Sequence, residues 1–251
     1  MSLFRNIVFT AVVAGLLSGL LLTAMQSFST IPLIMEAETF EGAGDPVAAG
    51  EGLSAAQPSV PAALEVEEEA WMPADGAERL IYTAGANMLA GIGFGLVLLS
   101  IAEALGGIRG WRRGLLLGIA GFVTVSLAPG LGLPPELPGM PAAELGPRQV
   151  WWMATVVSTG LALGLLAYTR SAGLAALAIV LLIAPHLVGA PLPVSHDTAV
   201  PHELHARFVN AVYATNLVFW AVLGASAALL RERFRSGEDV VVANSDRVAV
   251  P

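Results

Sequence analysis

The chain has 251 residues, of which 55% are hydrophobic and 13% charged, and its mean hydropathy is +0.72. A water-soluble domain of this size needs more charge to cover its surface, so the composition predicts an integral membrane protein. Cysteine and lysine are both absent, which excludes disulfides, thiolate metal sites, a P-loop ATPase and a Schiff-base mechanism. The net charge of −8 argues against nucleic-acid binding.

Six segments are apolar enough to be predicted as transmembrane helices, which need about 20 mostly apolar residues. They cover residues 7–29, 80–101, 114–131, 150–169, 171–188 and 208–230. The predicted fold is therefore all-α, a polytopic membrane bundle of six helices within residues 1–235. The first segment is interpreted as an anchor, because its apolar run is longer than that of a signal peptide and no small-residue cleavage site follows.

An acidic segment follows the first span, since residues 36–78 contain eleven carboxylates and no basic residue. It is predicted to be an extracytoplasmic, partly disordered loop. A second interpretation is that its field concentrates cations near a pore mouth. Glu36 and Glu38 close the first span and are candidate metal ligands. Because residues two apart do not share a helix face, at most one of them points inward if the segment is helical.

Proline interrupts the third and fifth spans, at Pro129 and Pro185. Interrupted spans point to the binding site of a transporter, because unwound backbone at membrane depth is tolerated only where it lines a cavity or packs on protein. Near the end of the second span, Glu103 is predicted to pair with Arg109 or Arg112.

All four histidines lie in residues 184–208. His186 follows Pro185 inside the fifth span, where an ionisable side chain is costly and suggests a metal ligand. Proline has no N–H, so Pro185 frees a backbone carbonyl one turn earlier, and this carbonyl is a second candidate ligand. The alternative role for His186 is a structural hydrogen bond to a neighbouring helix. His202 and His205 are three apart after Pro201, so both can face one divalent ion. His196 is the looser member of this group.

The arginines orient the bundle. With both termini in the cytoplasm, nine arginines lie inside and three outside, as the positive-inside rule prefers. This predicts a multi-pass protein of the inner (plasma) membrane with a disordered cytoplasmic tail at 236–251. The outer arginines are Arg79, Arg148 and Arg207. Each begins an inward-running helix, where a positive charge is unfavourable, so each is expected to pair with an acid from the set Glu36, Glu38, Glu78, Glu136 and Glu203.

The same positions suggest that the chain consists of three hairpin repeats, each with a proline near the outer end of its first helix and an arginine at the start of its second. The alternative is that prolines simply end helices and arginines mark the interface. Paired glycines four apart predict close helix packing. They occur in GLLSG (15–19), GIGFG (91–95), GLLLG (114–118) and GLALG (160–164).

Several blocks in order resemble the CbtA family of predicted cobalt transporter subunits. These are PLIMEAETFE, GFGLVLLS, GFVTVSLAPGLGLPPELPG, RQVWW, APHLVGAPLP and NLVFWAVLG. The resemblance implies cobalt uptake linked to cobalamin and a small single-span partner, CbtB, that bears histidine. It implies no ligand set, and it is the only source for cobalt, because nothing in the residue spacing selects that ion.

The function predicted from these features is that of a membrane permease subunit for Co²⁺, not an enzyme, with Co²⁺ as cargo and no organic cofactor. Its predicted metal ligands are His186, His196, His202, His205, Glu36 and Glu38. One alternative is a structural or assembly protein of a metal-handling complex. A membrane enzyme with a metal-bound water is less favoured, because Glu203 is the only acid close to the histidines that could act as its acid or base.

Overall fold

The computed structural model describes residues 2–41 and 73–248, with side-chain surroundings for 3–40 and 73–234. Within these residues the protein is all-helical, which confirms the predicted class. Residues 42–72 of the predicted acidic loop lie outside the described part. The elements are α1 (Ser2–Phe28), α2 (Thr30–Glu41), α3 (Ala77–Ala104), α4 (Trp111–Phe122), a π-helical turn (Val123–Leu127), α5 (Ala128–Gly130), α6 (Leu145–Tyr168), α7 (Ala172–Val188) and α8 (His202–Val248).

Five described helical segments are long and apolar enough to cross a membrane. They are Leu3–Phe28, Ala77–Ala104, Trp111–Gly130, Leu145–Tyr168 and His202–Phe234. The fifth predicted span is the apolar helix α7, which has 17 residues. At about 1.5 Å per residue it is roughly 26 Å long, slightly less than the hydrocarbon thickness of about 30 Å. A sixth crossing therefore stays a prediction.

The long helices alternate in direction, which gives the bundle two distinct ends. We call one the loop end, where α2 and the segments 131–144 and 189–201 lie. The other is the terminal end, with the start of α1 and the connections 105–110 and 169–171. At the loop end, α2 packs on α8 through a small core of Leu33, Ala37, Leu137, Val200, Leu204 and Phe208. Helix α8 continues to Val248, into the predicted tail, whose disorder stays a prediction.

Glycine pairs bring helix backbones into contact, as the sequence predicts for three of its four motifs. Gly15 and Gly91 face each other between α1 and α3, and Gly224 of α8 packs on Gly114 and Gly118 of α4. The fourth motif differs, because a side chain at Gly164 would meet no atom of the described structure within 4 Å. Helix packing therefore uses the glycines of α1, α3 and α4 and leaves Gly164 without a neighbour.

The helix pairing does not follow three successive hairpins. Helix α1 packs mainly on α3, as a first hairpin would, but α4 packs mainly on α8, and α6 packs mainly on α7. The third predicted span therefore pairs with the sixth, and the fourth with the fifth. The repeat stays a prediction based on proline and arginine positions.

Helix α7 is held to α6 by hydrogen bonds that compensate for its proline. Pro185 has no N–H to donate to the carbonyl of Leu181, and the Ser158 hydroxyl donates to that carbonyl instead, at 2.6 Å. The helix runs on past Pro185 to Val188 and ends at Gly189, whose φ is 83°. The expected interruption of the fifth span at Pro185 is therefore wrong, because a neighbouring helix satisfies the freed carbonyl.

We expect Ser158→Ala to lower the free energy of unfolding by about 1–3 kcal/mol, because it leaves the part-buried Leu181 carbonyl without a donor. The adjacent Thr159→Val is the matched control. The Thr159 hydroxyl is fully buried and has no hydrogen-bond partner, so its removal should be neutral or stabilising. Thermal unfolding in detergent measures both, and equal losses for the two variants would contradict this account of α7.

Candidate functional site

The α-helical hydrogen-bond pattern of the third predicted span is broken by a π-helical turn that precedes proline. Val123–Leu127 forms the turn and Pro129 follows in α5. Single π-turns within α-helices frequently occur at functional sites. Chain direction then changes in the segment 131–144, which is rich in proline and glycine. The helix itself runs on through Pro129 to Gly130, so the interruption predicted at Pro129 is limited to this π-helical turn, which displaces Ser126 from a regular α-helical position.

A cavity of about 710 Å³ lies at this break, between the π-turn, the segment 131–144, the start of α6 and α8. Its lining is mixed, with prolines and apolar side chains beside six polar ones. The polar residues are Ser126, Glu136, Arg148, Gln149, Tyr213 and Asn216. A cavity with a few convergent polar groups at a helix break is the best candidate for a functional site in the described structure.

An ion pair lies in the wall of this cavity, because Arg148 Nη2 is 3.0 Å from Glu136 Oε2, and both side chains are partly exposed. It offsets the unfavourable position of a cation at the start of α6. Arg79, at the start of α3, is paired in the same way, with Glu38 at 2.9 Å and Asp75 at 3.0 Å. Arg207 is exposed, and among the described residues it has no ion pair within 4.0 Å.

His205 is placed at the edge of the cavity. Its Nε2 donates a hydrogen bond to the carbonyl of Pro135, at 3.0 Å, and Pro135 lines the cavity. This contact leaves the Nδ1 atom of His205 available as a ligand. His202 and His196 are exposed at the same end of the bundle.

His186 is half-buried and packs edge-on against Trp151, with ring centroids 5.9 Å apart. The indole of Trp151 donates to the Pro185 carbonyl at 3.2 Å, so the end of α7 is fixed to α6. Glu36 is exposed and Glu38 is paired with Arg79, both on α2. Within the described residues α2 and α7 do not contact each other, so His186 is not brought together with either glutamate.

The second candidate ligand near His186, the carbonyl freed by Pro185, is the Leu181 carbonyl bound by Ser158. The described parts of the chain contain no group of three or more His, Asp or Glu side chains placed to hold a metal ion. His196, His202 and His205 thus share the loop end without forming a three-histidine site in this conformation.

The predicted pairing of Glu103 with Arg109 or Arg112 is wrong. Glu103 Oε1 accepts a hydrogen bond from Arg231 Nε at 2.7 Å, and Arg231 is only 3% exposed. Arg231 is at the terminal end of α8, where it packs on the end of α3. The packing of α8 on α3 buries Arg231, so the nearest acid in space is distant in the sequence.

Part of the cavity was not predicted from the sequence. Ser126 and Gln149 lie in blocks of the family resemblance, but nothing in those blocks gave them a role, and Tyr213 lies in none of them. Asn216 is recognisable as a polar residue within a span, and Glu136 and Arg148 as a pair. Their convergence on one cavity depends on α8 packing against α4.

These features define the class of the protein. It is a membrane helical bundle that has a polar cavity beside a π-helical turn. Within that class the chain belongs to the CbtA family. Residues 4–232 match the model of this family, which is described as a probable cobalt transporter subunit. No curated protein and no solved structure matches the chain.

Proposed function

We propose that this protein is the membrane permease subunit of a system that takes up Co²⁺ across the inner membrane and supplies it to cobalamin biosynthesis. The observation that carries the proposal is the family match over residues 4–232. The loop end faces outward and both termini face the cytoplasm, in keeping with the positive-inside rule. Because the family is that of a subunit, we propose a partner, a small single-span membrane protein bearing histidine.

The cavity at the third-span break is the proposed entrance for the ion. Exposed acids of α2, such as Glu36, attract the cation to the loop end. His196, His202 and His205 receive it, since imidazole and carboxylate both suit ions of this type. From His205 the path continues to Glu136, because the Pro135 carbonyl joins His205 to the cavity wall.

A deeper site uses His186 with Glu36 or Glu38. In the described conformation α2 and α7 are separate, so this site forms only when α7 moves relative to α2. Such movement is consistent with the packing of α7, which contacts no other described helix than α6. A change in the packing of α7 is the conformational step that we propose for this site.

The membrane potential supplies a driving force without an ATPase in this chain. Moving a divalent cation inward is favourable by roughly 4–5 kcal/mol per 100 mV. This is sufficient for accumulation if the ion is captured in the cytoplasm.

Cobalt accumulation in cells that lack other cobalt importers tests the function. We expect cells with the protein to accumulate more ⁵⁷Co²⁺ than cells without it. The double variant His202→Ala/His205→Ala and the single variant His186→Ala should each need about tenfold more external Co²⁺ for the same uptake, as is typical when a metal site loses a ligand or its support. Val194→Ala, a fully exposed position in the same segment, is the matched control.

Accumulation that does not depend on the protein would contradict the proposed function. Unchanged uptake in every histidine variant, at matched abundance, would contradict the ligand assignment alone. If the variants lower protein abundance but not cobalt uptake per molecule, the histidines have the structural or assembly role.

A further inference from the structure

We propose that one face of α8 lines the ion path from the cavity to the cytoplasm, and that the Glu103–Arg231 pair is the gate at its terminal end. The inference rests on the proposed function, because a gate has a purpose only if the bundle conducts an ion. It assigns a role to a buried charged pair that the loop-end site does not use.

The path is defined by residues that share one helix face. On α8, Asn216, Trp220, Leu223, Ala227 and Arg231 follow at spacings of four, three, four and four residues, which places them on the same side of the helix. Asn216 lines the cavity, and Arg231 lies about 22 Å further along the helix axis. This face therefore connects the cavity with the buried guanidinium of Arg231.

Aromatic rings close the middle of this face. Trp220 is 4% exposed, and its ring centroid is 4.8 Å from that of Phe94 and 5.8 Å from that of Phe219. Leu223 and Ala227, one and two turns further, are fully buried. Trp220 also borders a second cavity of about 750 Å³ that reaches Leu105 and Ile108, but Leu223 and Ala227 do not line it. In the described conformation this face of α8 is therefore closed between the loop-end cavity and Arg231.

The Glu103–Arg231 pair has the features of a closure that can open. The guanidinium is buried and makes one hydrogen bond to Glu103, through Nε, while its buried Nη1 has no hydrogen-bond partner among the residues whose side chains are described. A buried charged donor without a partner is costly, so hydration of Arg231 on opening recovers part of the cost of breaking the pair. A fixed arginine also repels cations from a narrow pore.

In the open state Arg231 moves towards the cytoplasm and Glu103 is left facing the path. A carboxylate at this position attracts the leaving cation, and closure of the pair returns the barrier. Glu103 thus pairs with Arg231 when the gate is closed and with the cation when the gate is open. Opening of the gate is therefore coupled to the presence of the ion.

The natural absence of cysteine allows a direct test, because any introduced cysteine is the single thiol of this chain and its labelling can be read on the separated chain. Ala227→Cys places it on the path one turn before the gate, and Ser126→Cys places it in the cavity. A membrane-impermeant methanethiosulfonate is applied to oriented membrane vesicles from either side, with the full chain and its natural partners present.

With the pair intact, we expect Ser126→Cys to react from the loop side only and Ala227→Cys to react from neither side. Adding Glu103→Gln should make Ala227→Cys react from the terminal side, and the swap Glu103→Arg/Arg231→Glu should protect it again. Arg231→Gln gives a second test if the first variant does not fold, and Arg233→Gln, at an exposed neighbour, should leave Ala227→Cys protected.

Continued protection of Ala227→Cys in folded Glu103→Gln and Arg231→Gln proteins would overturn the gate. Reaction of Ala227→Cys from the terminal side with the pair intact would overturn it as well. The labelling pattern does not depend on cobalt. A protein with the expected pattern that accumulates no cobalt would therefore contradict the proposed function and leave the gate in place.

Discussion

Gly224→Leu is expected to destroy the packing of α4 on α8 and to be strongly destabilising. A Cβ at Gly224 would lie 2.8 Å from the backbone N and Cα of Gly118, and it would also meet the backbone of Gly114. Because backbone atoms cannot move aside as a flexible side chain can, the two helices must separate. We expect a loss of about 3 kcal/mol or more in the free energy of unfolding, at or beyond the upper end of typical overpacking costs.

Gly164→Leu is the matched control for this prediction, because it makes the same change within another membrane-spanning helix, α6. A Cβ at Gly164 would meet no atom of another described element within 4 Å, so leucine there should change the stability of the isolated protein by less than about 0.5 kcal/mol. Thermal unfolding and size-exclusion profiles in detergent measure both variants. Similar stability for the two would show that α4 and α8 do not approach as closely as the structure has them.

Helix positions could be predicted from the sequence because the hydrocarbon core imposes length and apolarity on each spanning segment. The GLLSG, GIGFG and GLLLG motifs were likewise informative, since only glycine allows backbones to touch. GLALG has the same glycine spacing but makes no backbone contact with another helix. The spacing indicates that close packing is possible, and it does not indicate which helix lies beside the motif.

Pairs of helices were harder to predict than the helices themselves. A succession of hairpins would place the third span beside the fourth, whereas α4 packs mainly on α8. Long apolar helices can exchange neighbours at little cost in burial. The choice is made by local fit, such as Gly118 against Gly224, which involves residues far apart in the sequence.

Distance along the sequence also explains which ion pairs could be predicted and which could not. Arg148 and Glu136 are separated by a short segment, so their pairing could be expected from the sequence. Glu103 and Arg231 are 128 residues apart, and they meet only because α8 packs on α3. The sequence predicted an ion pair of Glu103 with Arg109 or Arg112, because these exposed arginines are close to it in the chain.

The candidate site was predicted in part. Pro129 indicated a break at membrane depth, and the structure places a π-turn and a cavity there. Pro185 is chemically equivalent, yet α7 has no π-turn before it, and Ser158 binds the freed carbonyl. A proline identifies a possible break, and the hydrogen bonds around it decide whether the α-helical pattern stays regular.

Transport by the protein itself is the second large effect that we expect. Purified from its natural membrane with the subunits that accompany it, and placed in vesicles, the protein should let ⁵⁷Co²⁺ enter when the interior is held negative. A potential of 100 mV favours a divalent ion by roughly 4–5 kcal/mol, enough for an equilibrium accumulation above a thousandfold. Excess Ca²⁺ should compete poorly, because it prefers oxygen ligands and the proposed receiving site offers imidazole.

This flux is the most direct test of the claim that the chain conducts Co²⁺ and does not only present it to another component. We predict potential-driven entry that depends on the protein and that His202→Ala/His205→Ala shifts to about tenfold higher Co²⁺ concentration. Entry no faster than in protein-free vesicles, with the complex folded and the potential maintained, would contradict the claim.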